Sequence, residues 1–416
     1  MSKQLNIGLF GFGVVGEGLY KVLQQTPTLN ASISKVVIKH PEKKRSAPAS
    51  LFSTEANDIL NDDSINVVVE LIDDADAAYH IITSALNKGK DVVSANKKCI
   101  ANHLEELLEL QRSTGATLLY EAAACASIPV IRNLEEYYDN DLLHGVKGII
   151  NGSTNYILTR MTKDKLNFNH ALLQAQQLGF AESDPSLDIN GTDALNKLTI
   201  LLLHSYGIVT EPQELLHTGI QNVCLADINV AKEKDWQVKL IAGATKLKNG
   251  KVNAFVLPQF VPSSSLLYNV QDEFNGALIQ SGLADEQFFY GKGAGSFPTA
   301  SAVLSDISAL RYQYKYEYKK YYREEEASLT TNVYLKVYVS FDRLQQLDKD
   351  AFEWIEEWHN GQGGNYVIGV IHQQQLLSDD WWKQPGVSLI LTPEPFVEDI
   401  QLRKVKQKSL ELAGVL

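Results

Sequence analysis

The fold is decided by residues 5–16, which read LNIGLFGFGVVG. Residues 5–10 form an apolar run typical of a buried strand, and leucine and valine at helical spacing follow as far as Gln25. The glycines between them form the pattern GxGxxG: the first permits a tight turn, the second lets the backbone approach a pyrophosphate, and the third allows close helix packing. A glycine-rich corner without a ligand is the alternative, but its place in a first strand–helix unit favours dinucleotide binding. The residues expected to contact the cofactor are Gly11, Phe12, Gly13, Val14, Val15 and Gly16.

The next hundred residues alternate between strand and helix patterns. Further strands are predicted at 33–38, 66–72, 91–94 and 117–120, with helices at 77–88 and 104–113 between them. This alternation predicts an α/β fold, a Rossmann-type doubly wound parallel sheet with helices on both faces. We expect residues 1–130 to form this dinucleotide-binding domain, completed by about 291–325, which includes a predicted helix at 298–310.

The pattern changes after Pro129. Residues 131–290 predict an α+β domain for substrate binding and dimerisation, with helices at 131–137 and 170–178 and a strand at 252–257. Residues 330–416 predict a separate small α+β module, with strands at 333–341, 366–371 and 387–391 and a helix at 350–358.

Between these parts lies the run RYQYKYEYKKYYREEE, residues 311–326. Aromatic residues interleaved with basic ones are typical of surfaces that stack nucleobases. The same run holds four glutamates, so a solvated, partly amphipathic connector is favoured.

Composition narrows the function classes. The 416 residues suit two or three domains, and 38 basic against 50 acidic residues give a net charge of −12. Such a surface repels nucleic-acid phosphates and anionic lipid. We find no apolar stretch that spans a membrane, no cleavage pattern of a signal peptide, and only three scattered cysteines, so we expect a cytoplasmic protein without disulfides.

The end of the second predicted strand bears on the choice of cofactor. An NAD site has an acidic residue there for the ribose 2′-hydroxyl. Here the sequence reads IKHPEKKR, and Lys39, Lys43 and Arg45 are candidates for a 2′-phosphate. This favours NADP, with NAD possible; exposed loop charges without a ligand are the alternative.

Two lysines are candidates for chemistry. Lys97 follows the predicted strand 91–94 in SANK, at the carboxyl edge of the sheet where ligands bind in doubly wound folds. Asp193 and Lys197 fall at i and i+4 on a helix whose following turns are strongly apolar. A plain salt bridge, with Glu182, Asp184 and Asp188 as loop capping groups, explains this spacing. The functional alternative is that carboxylates hold a cationic substrate group while a desolvated lysine moves a proton.

Six stretches of the chain together resemble the signature segments of homoserine dehydrogenases, in order and spacing, over about residues 5–310. They read GFGVVGEG, SANK, YEAAACASIP, GIINGSTNYIL, GFAESDPSLDINGTDALNKLTIL and YGKGAGSFPTASAVLSD. The resemblance implies reversible, NAD(P)-dependent interconversion of L-aspartate 4-semialdehyde and L-homoserine, on the branch toward threonine and methionine. A catalytically inactive NADP-binding regulatory homologue and a dehydrogenase of another small amino or hydroxy acid are the alternatives.

The resemblance also implies residue roles. Lys197 is similar to the family's proton donor, Asp193 to its helix partner, and Lys97 to the lysine near the nicotinamide. Substrate contacts are expected from Asn151, Thr154, Glu182, Asp188 and Asp193, and further cofactor contacts from Ser94, Lys97, Gly179 and Gly293. A homodimer or homotetramer is expected.

A structural monovalent cation, sodium, is implied at Glu121 and the carbonyls of Ala124, Ala126 and Ile128. The sequence departs from the family there, because alanine, cysteine and serine replace glycines. Cys125 invites the interpretation of a reactive thiol, but a small buried hydrophobe is favoured. Acidic Asp73 and Asp74 stand where the family has a glycine pair.

The C-terminal module stands where many family members have a ligand-binding ACT domain. Its Asp-x-Pro-Gly turn is missing, since FDRL stands at 341–344. We expect a degenerate, structural or dimer-forming ACT-like unit rather than a threonine sensor.

Overall fold

The structure is a computed structural model and describes residues 4–140, 142–324, 327–361 and 363–397. The chain divides into two compact units. Unit 1 comprises Met1–Gly152, Asp193–Glu214 and Glu273–Ala327, and unit 2 comprises Ser153–Thr192, Leu215–Asp272 and Ser328–Leu416. The division into three domains expected from the sequence stays a prediction.

The strands, in chain order, are β1 Leu5–Phe10, β2 Ala31–Val37, β3 Phe52–Ser53, β4 Val67–Glu70, β5 Asp91–Ser94, β6 Leu118–Leu119, β7 Leu143–Ile149, β8 Leu216–His217, β9 Trp236–Lys246, β10 Val252–Pro262, β11 Phe274–Ser281, β12 Asp285–Lys292, β13 Tyr334–Phe341, β14 Phe352–Gly361, β15 Gly364–His372 and β16 Val387–Phe396.

The helices are α1 Val14–Gln25, α2 Asn57–Leu60, α3 Ala75–Asn87, α4 Lys97–Asn102, α5 Leu104–Thr114, α6 Ala122–Cys125, α7 Val130–Arg132, α8 Gly152–Lys163, α9 Phe168–Gln177, α10 Ser186–Ile189, α11 Thr192–Tyr206, α12 Leu225–Glu233, α13 Ser296–Leu310 and α14 Gln373–Ser378. A π-helical turn, Asn133–Tyr137, continues α7. In the described part of the chain no helix combines the length and apolar character of a membrane span.

Unit 1 contains a six-stranded sheet in the order β3-β2-β1-β4-β5-β6. Every pairing in it is parallel. Residues 67–70 read VVVE and are buried on both faces, as parallel strands between two helical layers require. The chain order reverses between β1 and β4, and at such a point the carboxyl ends of strands leave a crevice for a ligand. The predicted Rossmann-type sheet is confirmed.

The helix predicted at 298–310 is confirmed as α13 and belongs to unit 1. It packs on α1 so closely that a Cβ at Gly18 would lie 2.5 Å from the hydroxyl of Ser296. That hydroxyl donates a hydrogen bond to the carbonyl of Val14 at 2.7 Å. The start of α13 is therefore tied to the first turn of α1.

Unit 1 also holds three antiparallel strands in the order β12-β11-β7 and the helix α11. All residues of α11 from Asp193 to Tyr206 are buried. A helix that is buried all round places any polar side chain it carries inside the protein.

The described part of the run, residues 311–324, is amphipathic, as predicted in part, but it is not the solvated connector that was also predicted. Tyr316, Tyr318 and Lys320 are buried, while the residues between them are exposed. The ammonium of Lys320 donates to the carbonyls of Leu134 and His204. The prediction of a solvated run was wrong because the total charge of a run does not show which of its side chains face inward. Alternation with period two, which puts every second residue on the inner side, is the signal that was missed.

Unit 2 contains a mixed sheet in the order β9-β10-β16-β13-β15-β14, with β8 beside β10. β10 pairs antiparallel with β9 and parallel with β8 and β16, and the other pairs are antiparallel.

The helix predicted at 350–358 is wrong, because β14 occupies this segment and pairs with β15. Two register shifts interrupt the strand, between Phe352 and Trp354 and between Ile355 and Glu357. Such bulges break the alternation of a strand, and the apolar residues 352, 355 and 358 then repeat at a helix-like spacing. The strand–helix–strand order behind the ACT-like interpretation depended on that helix, so the ACT-like module is not confirmed.

Replacing Gly207 tests whether the 311–326 run is part of the unit 1 core. Gly207 has φ +71°, and a Cβ there would lie 2.3 Å from the carbonyl oxygen of Lys320. Gly115 has the same φ but no described heavy atom within 4 Å of its Cβ position. We expect Gly115→Ala to cost about 1–2 kcal/mol for the backbone conformation. Gly207→Ala should cost a further ~1–3 kcal/mol for the collision. Urea denaturation measures both, and equal losses would contradict this packing.

Candidate active site

The glycine-rich turn has the shape that a pyrophosphate needs. Gly11 has φ +94°, and a Cβ there would lie 2.5 Å from the carbonyl oxygen of Leu71. A Cβ at Gly16 would lie 2.3 Å from the carbonyl oxygen of Gly11. Gly13, the N-cap of α1, has no described heavy atom within 4 Å of its Cβ position. Two glycines therefore make the turn possible, and the third leaves open space before the N–H groups of a helix N-terminus.

The side chains around this turn are apolar. Phe12 meets the rings of Tyr20 and Phe52 edge-on, at centroid distances of 5.8 and 5.1 Å. Val14 is exposed, whereas Val15 is half-buried. Phe52 connects the turn to the loop after β2.

That loop lines a cavity of about 740 Å³ together with Phe52. Arg45 and Lys43 are among the lining residues, but Lys39 is exposed and is not. The guanidinium of Arg45 donates to the carbonyls of His40 and Lys43, both at 2.6 Å, and lies 5.4 Å from the ring centroid of Phe52. A guanidinium fixed in this way suits a phosphate.

Three side chains from three parts of unit 1 surround Asp193. Its Oδ1 lies 2.9 Å from Nζ of Lys97, at the start of α4, and its Oδ2 lies 2.6 Å from Nζ of Lys197, one turn along α11. Asn151, just after β7, donates from Nδ2 to Oδ2 at 2.9 Å. Nζ of Lys197 also donates to the carbonyl of Ile150 at 2.8 Å. All three predicted catalytic residues, Lys97, Asp193 and Lys197, are thus brought together with Asn151.

The charges in this cluster are unequal. Burial alone would raise the pKa of Asp193, but the ammonium groups of Lys197 and Lys97 outweigh it and hold that pKa well below its usual range. Asp193 is 6% exposed and the Lys197 side chain 10%, whereas the Lys97 side chain is 43% exposed. Two ammonium groups approach this one carboxylate, and positive charge placed here suits an oxygen becoming negative.

Two departures from the family pattern, Asp74 and Cys125, have local explanations. Asp74 is the N-cap of α3 and accepts from the N–H groups of Asp76 and Ala77 at 3.1 and 3.0 Å. Cys125 is buried, and burial raises its pKa to about 12, as expected for a small hydrophobic residue rather than a reactive thiol.

Gly293 and Ser94 also lie in unit 1. A Cβ at Gly293 would be 2.2 Å from Cγ, Oδ1 and Nδ2 of Asn275 alike, so the flat face of that amide covers the glycine. Asn275 is buried and was missed, since a single asparagine in a strand gives no sequence signal. The hydroxyl of Ser94 donates a hydrogen bond to the carboxyl group of Glu70. Glu70 is a second residue to which the sequence pattern did not point.

The expected cation site is only partly compatible with the structure. Both oxygens of the Glu121 carboxylate accept backbone N–H groups, from Ile131 at 2.8 Å and Arg132 at 3.0 Å. The carbonyl of Ile128 accepts from the N–H of Val130 at 2.9 Å. Ala126, another expected ligand, has φ +49°, a strained backbone for alanine. A cation would share oxygens that are already hydrogen-bonded, and across the described residues no three His, Cys, Asp or Glu side chains form a metal-binding group.

The remaining predicted residues belong to unit 2. Thr154 is buried on α8, Gly179 has φ +78° just after α9, Glu182 is exposed, and Asp188 is half-buried on α10. Their roles stay predictions.

Comparison with known proteins decides the family. Residues 129–308 match the family model described as homoserine dehydrogenase, and residues 11–121 match that of the homoserine dehydrogenase NAD binding domain. The chain belongs to the homoserine dehydrogenase family. Homoserine dehydrogenase of Bacillus subtilis is 35% identical over 317 residues, 74% of this chain and 73% of the relative. That of Helicobacter pylori is 36% identical over 314 residues, 74% of each chain.

Solved structures of the homoserine dehydrogenase family agree. The enzyme from Thiobacillus denitrificans superposes with a TM-score of 0.81 at 27% identity, covering 96% of this chain and 99% of that one. A hyperthermophilic archaeal homoserine dehydrogenase in complex with NADPH gives a TM-score of 0.65 at 27% identity, covering 75% and 99%. The resemblance based on the six sequence stretches is confirmed.

Two glycine variants separate the cofactor role from the fold. Gly13→Ala adds a methyl group to open space at an ordinary φ of −83°, so we expect the free energy of unfolding to change by less than about 1 kcal/mol. NADPH binding should weaken at least about tenfold, because the methyl group occupies the space for the pyrophosphate. Gly16→Ala should instead destabilise the fold by ~1–3 kcal/mol. Fluorescence titration and urea denaturation measure the two effects; unchanged NADPH affinity in Gly13→Ala would contradict this site.

Proposed function

We propose that the chain catalyses the reversible reduction of L-aspartate 4-semialdehyde to L-homoserine by NADPH or NADH, which becomes NADP or NAD, and that Lys197 is the proton donor. The observation that supports this role is the buried ammonium of Lys197, held by Asp193 and the Ile150 carbonyl. The bound nicotinamide supplies or takes up the hydride. The open space at Gly13 and the helix N-terminus behind it fit such a cofactor.

The number of donors on Lys197 explains how it acts. An ammonium has three N–H donors. Within the described residues, two of them meet Asp193 Oδ2 and the Ile150 carbonyl. The third remains for the substrate oxygen, which becomes negative as the aldehyde is reduced. Transfer of this proton gives the hydroxyl group and leaves a neutral amine, which regains a proton from solvent; in the reverse direction the amine takes the hydroxyl proton.

The neighbours of Lys197 hold its ammonium group in place. The carboxylate of Asp193 pairs with this group, whose proton the reduction consumes. Asn151 holds the same carboxylate oxygen, so the acceptor stays fixed. Lys97 supplies a second positive charge from a side chain that is partly exposed, and we propose that it stabilises the developing alkoxide without giving up a proton.

For the substrate amino group we propose the carboxylates of Glu182 and Asp188, with Thr154 and Asn151 as further contacts. Opposite charge supports the pairing with an ammonium group, and the exposure of Glu182 leaves it available to a ligand. The inactive regulatory alternative is not supported by the family comparisons.

The activity is tested by mixing the protein with homoserine and NADP or NAD and following reduced nicotinamide by absorbance. Lys197→Met should lower kcat by about 10²-fold or more, the scale of general acid catalysis. NADPH binding should be retained. Lys88→Met, at an exposed position after α3, is the matched control and should keep full activity. Full activity in Lys197→Met would remove the lysine from this role. Other small hydroxy acids as competing substrates test the remaining alternative.

We infer a preference for NADP from the cavity beside Arg45. Arg45→Ala should raise the KM for NADPH about tenfold, the scale of one charge-assisted phosphate contact. The KM for NADH, which has no 2′-phosphate, should change less than about twofold and serves as the internal control. Equal changes for the two cofactors would contradict the role of Arg45.

A homodimer or homotetramer, a cytoplasmic location and a structural sodium ion remain predictions from the resemblance and the composition.

A further inference from the structure

A buried carboxyl group near the site has no part in the mechanism above. Glu70 is the last residue of β4 and is 0% exposed. Its Oε1 accepts from the N–H of Ile72 at 2.7 Å, and its Oε2 accepts from the hydroxyl of Ser94 at 2.6 Å. A buried carboxyl group is costly unless both oxygens have partners, and here each oxygen has one. Glu70 thereby joins the ends of two neighbouring strands, β4 and β5.

The hydrogen bonds continue from Ser94 to the start of α4. The Ser94 oxygen accepts from the N–H of Asn96 at 3.1 Å. The Asn96 side chain donates to the Ile72 carbonyl at 3.0 Å and accepts from the N–H of Cys99 at 2.9 Å, which makes it the N-cap of α4. Lys97 is the first residue of this helix.

The helix α4 depends on these bonds. It has six residues, and a helix this short has little stability of its own in water. Its first turn is fixed from outside, by Asn96 and by the groups that fix Asn96. The direction in which Lys97 leaves the backbone toward Asp193 follows from that first turn.

We propose that Glu70 is a positioning residue for the reaction, which through Ser94 and Asn96 holds the start of α4, and thereby Lys97, against Asp193. The inference rests on the proposed function of the Lys97–Asp193–Lys197 cluster. It adds a role for a buried residue that acts through its hydrogen bonds to Ile72 and Ser94.

The protonation of Glu70 sets the direction of the Ser94 hydroxyl. Ionised Glu70 accepts from both Ile72 and Ser94. In neutral Glu70 one oxygen still accepts from Ile72, and the other donates its proton to the Ser94 oxygen. That oxygen then accepts from Glu70 and from Asn96, so the Ser94 proton must turn toward another acceptor.

Both forms of Glu70 are populated near neutral pH. Burial raises its pKa to about 7; the hydrogen bonds from Ser94 and Ile72 oppose this rise, and the nearby charge of Asp73 adds to it. A further ionisable neighbour, the Cys99 thiol, stays neutral because burial raises its pKa to about 12.

Two substitutions separate the effect of the Glu70 hydrogen bonds from the effect of its negative charge. In Glu70→Gln the amide oxygen can accept from Ile72 while the amide nitrogen donates to Ser94, which reproduces the neutral acid. Glu70→Ala removes both bonds and leaves the N–H of Ile72 and the hydroxyl of Ser94 without this partner. Glu109→Gln, at an exposed position on α5, is the matched control.

The test is a double-mutant cycle with Lys97→Ala, measured by kcat with homoserine and by NADPH titration. Glu70→Ala should lower kcat about tenfold or more, because a displaced charge acts poorly on the reacting oxygen. KM for homoserine should change less than about threefold. In the Lys97→Ala background the same substitution should change kcat less than about twofold, since its effect runs through Lys97. Glu70→Gln should restore most of kcat.

The outcomes distinguish the inference from the proposed function. If Glu70→Ala lowers kcat by the same factor with and without Lys97, the positioning role is overturned. The proposed function still stands in that case, provided that the wild-type protein is active and Lys197→Met is inactive. If Glu70→Ala does not fold, Ser94→Ala breaks the same connection and is judged by the same cycle. The pH profile gives a second readout: a step in kcat near pH 7 that Glu70→Gln lacks supports the role, and an identical step in both proteins contradicts the effect of Glu70 protonation.

Discussion

The carboxylate of Asp193 is buried and shared by two lysines, and the arrangement of the site depends on this sharing. A buried carboxylate with a single cation would be a neutral pair whose desolvation cost is hard to recover. With two cations the charge of Asp193 is well compensated, which keeps its carboxyl group ionised in spite of burial. The two ammonium groups approach different oxygens of Asp193, Lys97 at Oδ1 and Lys197 at Oδ2, so the carboxylate lies between them and holds them apart.

Three parts of unit 1 must be in register for this to occur. Lys97 comes from the carboxyl end of the parallel sheet, Lys197 and Asp193 from a helix that is buried all round, and Asn151 and Ile150 from the end of an antiparallel strand. The parallel sheet fixes the position of Lys97, and the burial of α11 fixes the positions of Asp193 and Lys197. The site therefore needs no secondary structure of its own. Each of its groups lies at the end or on the face of a strand or helix that the packing of unit 1 already requires.

Local patterns predicted much of this. The turn at Gly11–Gly16, the parallel strands, and the i,i+4 pair of Asp193 and Lys197 depend on neighbours in sequence, and all three were found. The contact between Lys97 and Asp193 joins residues almost a hundred positions apart, and only the family resemblance brought both into one site. Glu70 was missed because one acidic residue at the end of an apolar strand resembles an exposed strand end. The prediction was wrong in two places. In β14 the bulges disturb the alternation of apolar and polar residues, and around Tyr316 and Tyr318 the many charged residues hide an alternation of buried and exposed side chains.

The three glycines of the turn differ in what they would reveal about a related chain: Gly11 and Gly16 are needed for the turn itself, whereas Gly13 is needed only for the ligand. A descendant of this chain that no longer bound nucleotides would still need Gly11 and Gly16, because the corner cannot close around a side chain at either position. Position 13 faces only the room kept for the ligand, so a substitution there would be tolerated once that ligand was lost. Among diverged copies of this chain, the identity of that single residue therefore tells retained cofactor use from mere inheritance of the corner.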